Sequence, residues 1–197
     1  MRIESYAESA LPEPLRRQVH ALQDEAWPPP ADDLPTVSSA GPVLVHDPAL
    51  RPVSMVLVDD GLVLAALDIL RKPLSHAGNT FHAGGLSTVV TRADVRGQGH
   101  GHRLVTAARN AMIDQGLDLG IFTCDRPLQP FYASAGWQCL PGTVLIGGTP
   151  DDPFPSDQPG FDKVTLAAFF TPAAQQAAPT FHNARIPLYP GHTDKLW

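Results

Sequence analysis

Two cysteines in 197 residues, Cys124 and Cys139, are too few for a disulfide framework, and no CxxC or Cys/His spacing accompanies them. A structural zinc site is excluded on those grounds, and buried free thiols are expected. Long apolar runs are missing too: none approaches the roughly 20 residues needed to cross a bilayer, so no membrane partner is expected. The first residues, MRIESYAESALPEP, put acids and prolines where a secretory signal needs an apolar stretch, so the cytoplasm is the expected location. Positive charge is scarce, with 14 Lys and Arg against 20 Asp and Glu and a net charge of -6. That balance argues against a nucleic-acid backbone as partner and for a cationic one.

Proline is the residue in excess. There are 21 in the chain, roughly double the usual share, concentrated from Pro28 to Pro52 and from Pro141 to Pro190 and expected to build ordered loops around a compact centre. A hydrophobic fraction of 43% and this length suit one globular domain over 1–197, with its core to about residue 170 and a tail over 171–197.

The apolar period sets the elements. A strand is expected over Arg2–Tyr6, then a helix carrying Leu15, Val19, Leu22 and Ala26 on one face. Pro12 and Pro14 stand where a helix start tolerates them, and the proline-rich stretch after Trp27 reads as a loop. Asp60-Gly61 is a two-residue hairpin signal between strands Val53–Val58 and Leu62–Leu70. A second hairpin through Ser75–Asn79 leads into a strand near Thr80–Thr91. From Gly99 the period becomes helical, through Leu104, Val105, Ala108 and Met112, and Gly116 stops it. Leu117–Thr123 reads as a strand and Arg126–Ala135 as a short helix with Asp125 as N-cap and Gly136 as terminator. Strands Thr143–Gly148 and Lys163–Phe170 complete an α/β (α+β) chain around one mixed sheet.

The stretch Arg96-Gly97-Gln98-Gly99-His100-Gly101-His102 leaves a strand and opens a helix. Alternating glycines admit a ligand close to the backbone, and the N–H groups of a first helical turn favour phosphate. A dinucleotide fingerprint needs its third glycine where His102 stands, and the Walker pattern needs a Gly-Lys-Ser/Thr that is absent.

This loop resembles the signature of the GNAT superfamily of acyl-CoA-dependent N-acetyltransferases, Arg/Gln-x-x-Gly-x-Gly/Ala, which Arg96, Gly99 and Gly101 fill. The preceding LSTVVTRADVRG and the later segment from Tyr132 to Gly136-Trp137 are similar to that family as well. The resemblance implies a central, mostly antiparallel mixed sheet flanked by helices, and acetyl-CoA as donor. Its pyrophosphate would lie on the amides of Arg96, Gly97, Gln98, Gly99, His100, Gly101 and His102. The pantetheine arm would pair with the backbone of Val89, Val90 and Thr91, and Tyr132 would be the general acid. Many relatives carry a Glu at the position of Ser87. The proton of the amine would then leave through a water held by backbone carbonyls, Ser87, Thr88, His82 or a nearby acid. His76 and His82 lie on the adjoining hairpin. His100 and His102 are expected to contribute amides rather than imidazoles, and no metal is expected.

Acids flank the expected acceptor groove: Asp24, Glu25, Asp32 and Asp33, then Asp151, Asp152, Asp157 and Asp162. They suit a small cationic amine. Within the superfamily, Val95 to Gln98, Tyr132 to Trp137, Thr149 to Asp152 and the final Trp197 resemble the aminoglycoside 2'-N-acetyltransferases. That likeness implies an aminosugar acceptor held by Asp32 or Asp33, Asp152 and Trp197. Ser87 and Lys195 stand where that group keeps a Glu and an Asp. The alternatives are a CoA-binding module without turnover and an acetyltransferase for peptide or protein amines. Phe181, Ile186, Leu188 and Tyr189 give the tail enough apolar surface to dock on the domain or on a second copy in a homodimer.

Overall fold

A computed structural model describes residues 1–28 and 44–197. Strand β1 (Arg2–Ala7) leads to helix α1 (Glu13–Ala26), and β2 (Val53–Asp59), β3 (Leu62–His76) and β4 (Asn79–Thr91) form an antiparallel meander. Helix α2 (His100–Asp114), β5 (Leu119–Asp125) and helix α3 (Gln129–Ser134) follow. Then come β6 (Gln138–Cys139), β7 (Val144–Gly148), β8 (Pro153–Pro155), β9 (Lys163–Phe169), helix α4 (Pro172–Ala177) and β10 (Arg185–Pro187). The main sheet has seven strands in the order β1-β2-β3-β4-β5-β9-β6, and β10-β7-β8 form a second sheet of three. In the main sheet only β4 and β5 run parallel.

The expected elements are present, β6, β8, α4 and β10 are additional, and four further differences stand out. The second hairpin turns on Ala77 and Gly78, both at positive φ, so β3 and β4 extend to His76 and Asn79. Arg126–Leu128 forms a 3-10 turn before α3, because Pro127 and Pro130 interrupt the donors of a continuous helix. The Asp125 side chain makes no capping hydrogen bond there; it pairs instead with Lys163 at 2.6 Å. The fourth difference is the second sheet, which takes β7 away from the main one.

The meander is covered on both faces, so β3 is buried without a break from Val63 to Leu70, as expected of a strand between two helical layers. Alternate residues serve the two layers. Val19 and Leu22 of α1 pack on Val56, Val58, Ala66 and Val90, while Leu104, Val105, Ala108 and Met112 of α2 pack with Leu57, Ala65 and Leu67. The tail docks on its own chain. Phe181, Ile186 and Leu188 are buried, and β10 pairs in parallel with β7.

Between the pairs Ala66–Val90 and Asp68–Ser87, β4 carries Thr88 and Val89 against Leu67 alone. This is a β-bulge, and Thr88 adopts φ +50 within it, so the strand bends where the site begins.

Candidate functional site

Two adjoining clefts form where β4 and β5 part. Their pairing lasts for Ala83–Leu119 and Gly84–Gly120, after which β4 continues to Thr91 paired to β3 alone. The free edge offers unmatched N–H and C=O groups to an extended ligand.

The larger cleft, about 610 Å³, lies between Val89, Val90 and Thr91 of β4 and a wall of Leu128, Phe131, Tyr132 and Ser134. Arg96, Gly97, Gly99, His100, Gly101 and His102 close its end, and Gln98 is not among the lining residues. Gly97 and Gly99 sit at φ +80 and +82, a conformation glycine adopts without strain. No side chain caps α2, so its first N–H groups and dipole are left for an anion. A Cβ on Gly101 would come within 2.8 Å of Thr91 Oγ1, so the helix can start close against the strand only with glycine there. Arg96 Nε donates to the Thr91 carbonyl at 3.0 Å. His102 Nε2 lies 3.1 Å from the Ser134 carbonyl, so its imidazole ties the loop to α3.

The smaller cleft, about 300 Å³, is lined by Ser87, Thr88, Thr123, Cys124, Asp125, Phe161, Lys163 and Trp197 among others, with Trp27 beside them. Trp27 is 54% exposed and Leu128 45%. Both clefts are lined by Val89, Leu128 and Tyr132. Tyr132 is buried, with its ring edge-on to Phe122 at 5.1 Å and Phe131 at 4.9 Å. Burial first, then the neighbouring Cys124 and Asp125, push its phenol well above the ordinary tyrosine value, so the hydroxyl is a proton donor across the neutral range. Burial and Asp125 push the Cys124 thiol up to about 11, which leaves it protonated and a poor nucleophile.

Trp197 wedges the gap between the strands. A Cβ on Gly85 would lie 2.7 Å from its indole. The Trp197 main-chain oxygen accepts from Thr123 N at 2.9 Å and Thr123 Oγ1 at 3.1 Å.

A polar cluster that the sequence did not announce lies behind Thr88. Asp68 on β3 accepts from Thr88 Oγ1 at 2.6 Å, Ser54 Oγ at 2.5 Å and Gln23 Nε2 at 3.5 Å. His46 Nε2 stands 3.3 Å from Asp68 as an ion-pair contact without hydrogen-bond alignment. His46 Nδ1 meets Asp194 Oδ1 at 2.5 Å, and Asp47 N donates to Asp194 Oδ2 at 2.8 Å. Burial alone pushes His46 down, but Asp194 and then Asp68 outweigh it and raise the imidazole to about 10. At neutral pH it is a buried cation between two carboxylates, joining the floor of the smaller cleft to the tail.

Ser87 and Trp197 line the smaller cleft, and other candidates lie elsewhere. The exposed His82 side chain stands 3.4 Å from Asp118 and lines a separate cleft. His76 bonds the Thr180 carbonyl at 2.9 Å and packs tilted against Phe181 at 4.2 Å, fastening the tail. Asp152 is exposed in the turn from β7 to β8, and Asp24 and Glu25 are exposed on α1. Asp157 pairs with Arg185 at 2.6 Å and Asp162 with Arg126 at 2.8 Å. Asp32 and Asp33 lie outside the described residues. Among the described residues that line the smaller cleft, Asp125 is the one acidic side chain, and it is paired with Lys163. The Lys195 ammonium sits 5.7 Å over the Phe154 ring.

Residues 13–140 match the family model described as an acetyltransferase (GNAT) domain. Solved structures share the fold at low identity. An acyl-CoA N-acyltransferase from Pseudomonas aeruginosa superposes with TM-score 0.53 at 20% identity, covering 84% of this chain and 97% of its own. ElaA from Escherichia coli gives 0.54 at 14%, with 85% and 99% covered. An aminoglycoside 6'-N-acetyltransferase solved with coenzyme A gives 0.57 at 13%, with 87% and 98% covered. No curated protein matches the chain.

Proposed function

The chain belongs to the GNAT acetyltransferase family and is an acyltransferase, and on that premise we propose that it moves an acetyl group from acetyl-CoA to the primary amine of a small acceptor, an aminosugar being the best-suited class. The observation that carries this reading is the meeting of the two clefts at Tyr132 and Val89: one has the character of a phosphate site, the other the size of a small molecule. Acetyl-CoA would supply the acyl group and a thiolate leaving group.

The remaining work falls to this chain. Uncapped amides of α2 and the loop from Arg96 to His102 hold the pyrophosphate, and the open edge at Val89, Val90 and Thr91 holds the amide-bearing arm. The Tyr132 hydroxyl stands where the clefts join and donates the proton that the thiolate takes up. Ser87 and Thr88 offer hydroxyls to the acceptor side, with Asp68 behind Thr88 to draw the amine's proton inward through a bridging water.

The acceptor cleft favours a ring over a flexible polyamine. Its described walls carry Trp27, Phe161 and Trp197 with hydroxyls between them, and its acidic side chain is already balanced by Lys163. Such a surface stacks on a sugar face and binds its hydroxyls, while a string of ammonium groups would find few counter-charges.

Thiol release from acetyl-CoA across a panel of aminosugars, polyamines and peptides tests the reading. Release with aminosugars is expected. Release with peptides alone, or CoA binding without release to any amine, overturns the acceptor assignment or the turnover. A separate check falls on the loop: Gly99→Val forces a branched side chain to φ +82 and should weaken CoA binding by at least about tenfold in calorimetry. Unchanged affinity would show the loop to be a turn only.

A further inference from the structure

At the far end of α2 from the phosphate loop lies a cleft of about 430 Å³ to which Arg51, Arg71, Lys72 and His82 contribute, with Gln115 and Gly116 at the helix end. The length of α2 separates the two by about 22 Å. In a chain of net charge -6, a concentration of cations in one hollow is against the average. Among the described residues, no carboxylate lies within 4.0 Å of Arg51, Arg71 or Lys72; the same holds for Arg96, Arg103, Arg109 and Lys195, but only here do three such cations line one cleft.

Two of these cations are not simply solvated. Arg71 and Lys72 are partly withdrawn from water, and burial lowers the proton affinity of both, with Arg51 adding to the effect on Arg71. Their partners are neutral acceptors. Arg71 Nε and Nη2 donate to the Arg51 carbonyl at 3.2 and 3.0 Å and Nη1 to Gln115 Oε1 at 2.9 Å. Lys72 Nζ donates to the carbonyls of Leu188 and Tyr189. These bonds fix the charged ends in place without neutralising them. Asp118, which bonds His82, also accepts from Thr171.

Partly buried positive charge is ordinarily paired. Held rigidly, gathered around a hollow of small-molecule size and, at Arg51, Arg71 and Lys72, left without an acid among the described residues, it marks a place whose counter-charge comes from outside. We propose that this cleft is a second ligand site, taking a small, multiply charged oxyanion such as a phosphorylated or polycarboxylate metabolite. Arg51 and Arg71 are its planar donors, suited to paired oxygens, and Lys72 is a fixed point charge beneath them.

Inorganic pyrophosphate and citrate, titrated separately by calorimetry into protein saturated with CoA, test this with the phosphate loop already filled. Saturable binding of at least one anion is expected, pyrophosphate reporting a phosphate ligand and citrate a carboxylate one. Arg51→Asn and Arg71→Gln should each weaken it about tenfold or more with CoA affinity unchanged. Asparagine accepts the left-handed φ of +48 at position 51, so that variant keeps its backbone. No saturable binding of either anion, affinity in both variants unchanged from the parent, or binding that CoA abolishes would overturn the proposal. The two variants lie outside the acetyl-transfer clefts, so their effect separates this site from the loop even in protein that binds no CoA.

Discussion

Replacing Tyr132 by Phe is expected to lower turnover by about 100-fold or more while CoA affinity and stability stay close to those of the parent, because the change removes one oxygen and one proton donor. The ring keeps its edge contacts with Phe122 and Phe131, so the walls of both clefts survive. The proton it gives is needed only as the thiolate departs, which places the loss in kcat. Since burial holds the phenol well above its ordinary value, Tyr132 itself should impose no alkaline limb on the rate near neutrality. Steady-state kinetics with calorimetry of CoA binding checks both parts. An unchanged kcat would remove Tyr132 from the acid role.

The second large effect concerns stability. Asp194→Ala should destabilise the fold by about 3–5 kcal/mol, the cost of leaving a buried charge without one of its partners, and lower Tm by roughly 10 °C or more for a chain of this size. His46, 3% exposed, would keep Asp68 alone, and Asp47 N would lose its acceptor. The same cluster sets a pH signature. In the unfolded chain His46 titrates near its ordinary 6.5, and in the folded protein near about 10. Its contribution to stability is therefore complete below about pH 6.5, shrinks from there to about pH 10, and is absent above. The parent's Tm should fall across that window, and Asp194→Ala should flatten the decline. Thermal unfolding followed by circular dichroism from pH 6 to 10 decides it; a parallel decline in both proteins would assign the pH dependence to other groups.

Much of this architecture was legible because local chemistry forced it. Asp60-Gly61 can scarcely be other than a hairpin turn, and the alternating glycines before a helical period could only mark a helix entered by close backbone approach. Both are statements about neighbouring residues. The Asp68 cluster is not: His46 and Asp194 lie 148 positions apart, and nothing in either neighbourhood announces the other. Strands β6, β8 and β10, of two or three residues each, are too short for an alternation to register. The acids of the last third of the chain misled for a related reason. Counting charge along a sequence cannot reveal that Arg185 and Arg126 pair with Asp157 and Asp162, or that Asp152 is exposed and lines neither cleft.

The brief seam between β4 and β5 also bears on how the molecule is made. The four-strand meander is complete once Thr91 has been synthesised, and its pairings are between successive strands, so it can collapse early at low entropic cost. Strand β5 has little to hold it there, since its extensive partner is β9, from Lys163 to Phe169. The glycine-rich loop thus emerges on a half-built sheet, and the smaller cleft exists only after Lys163 and Trp197 have arrived. Birth order therefore separates the two clefts, and a nascent chain arrested before β9 would present the proposed donor wall without the pocket that adjoins it.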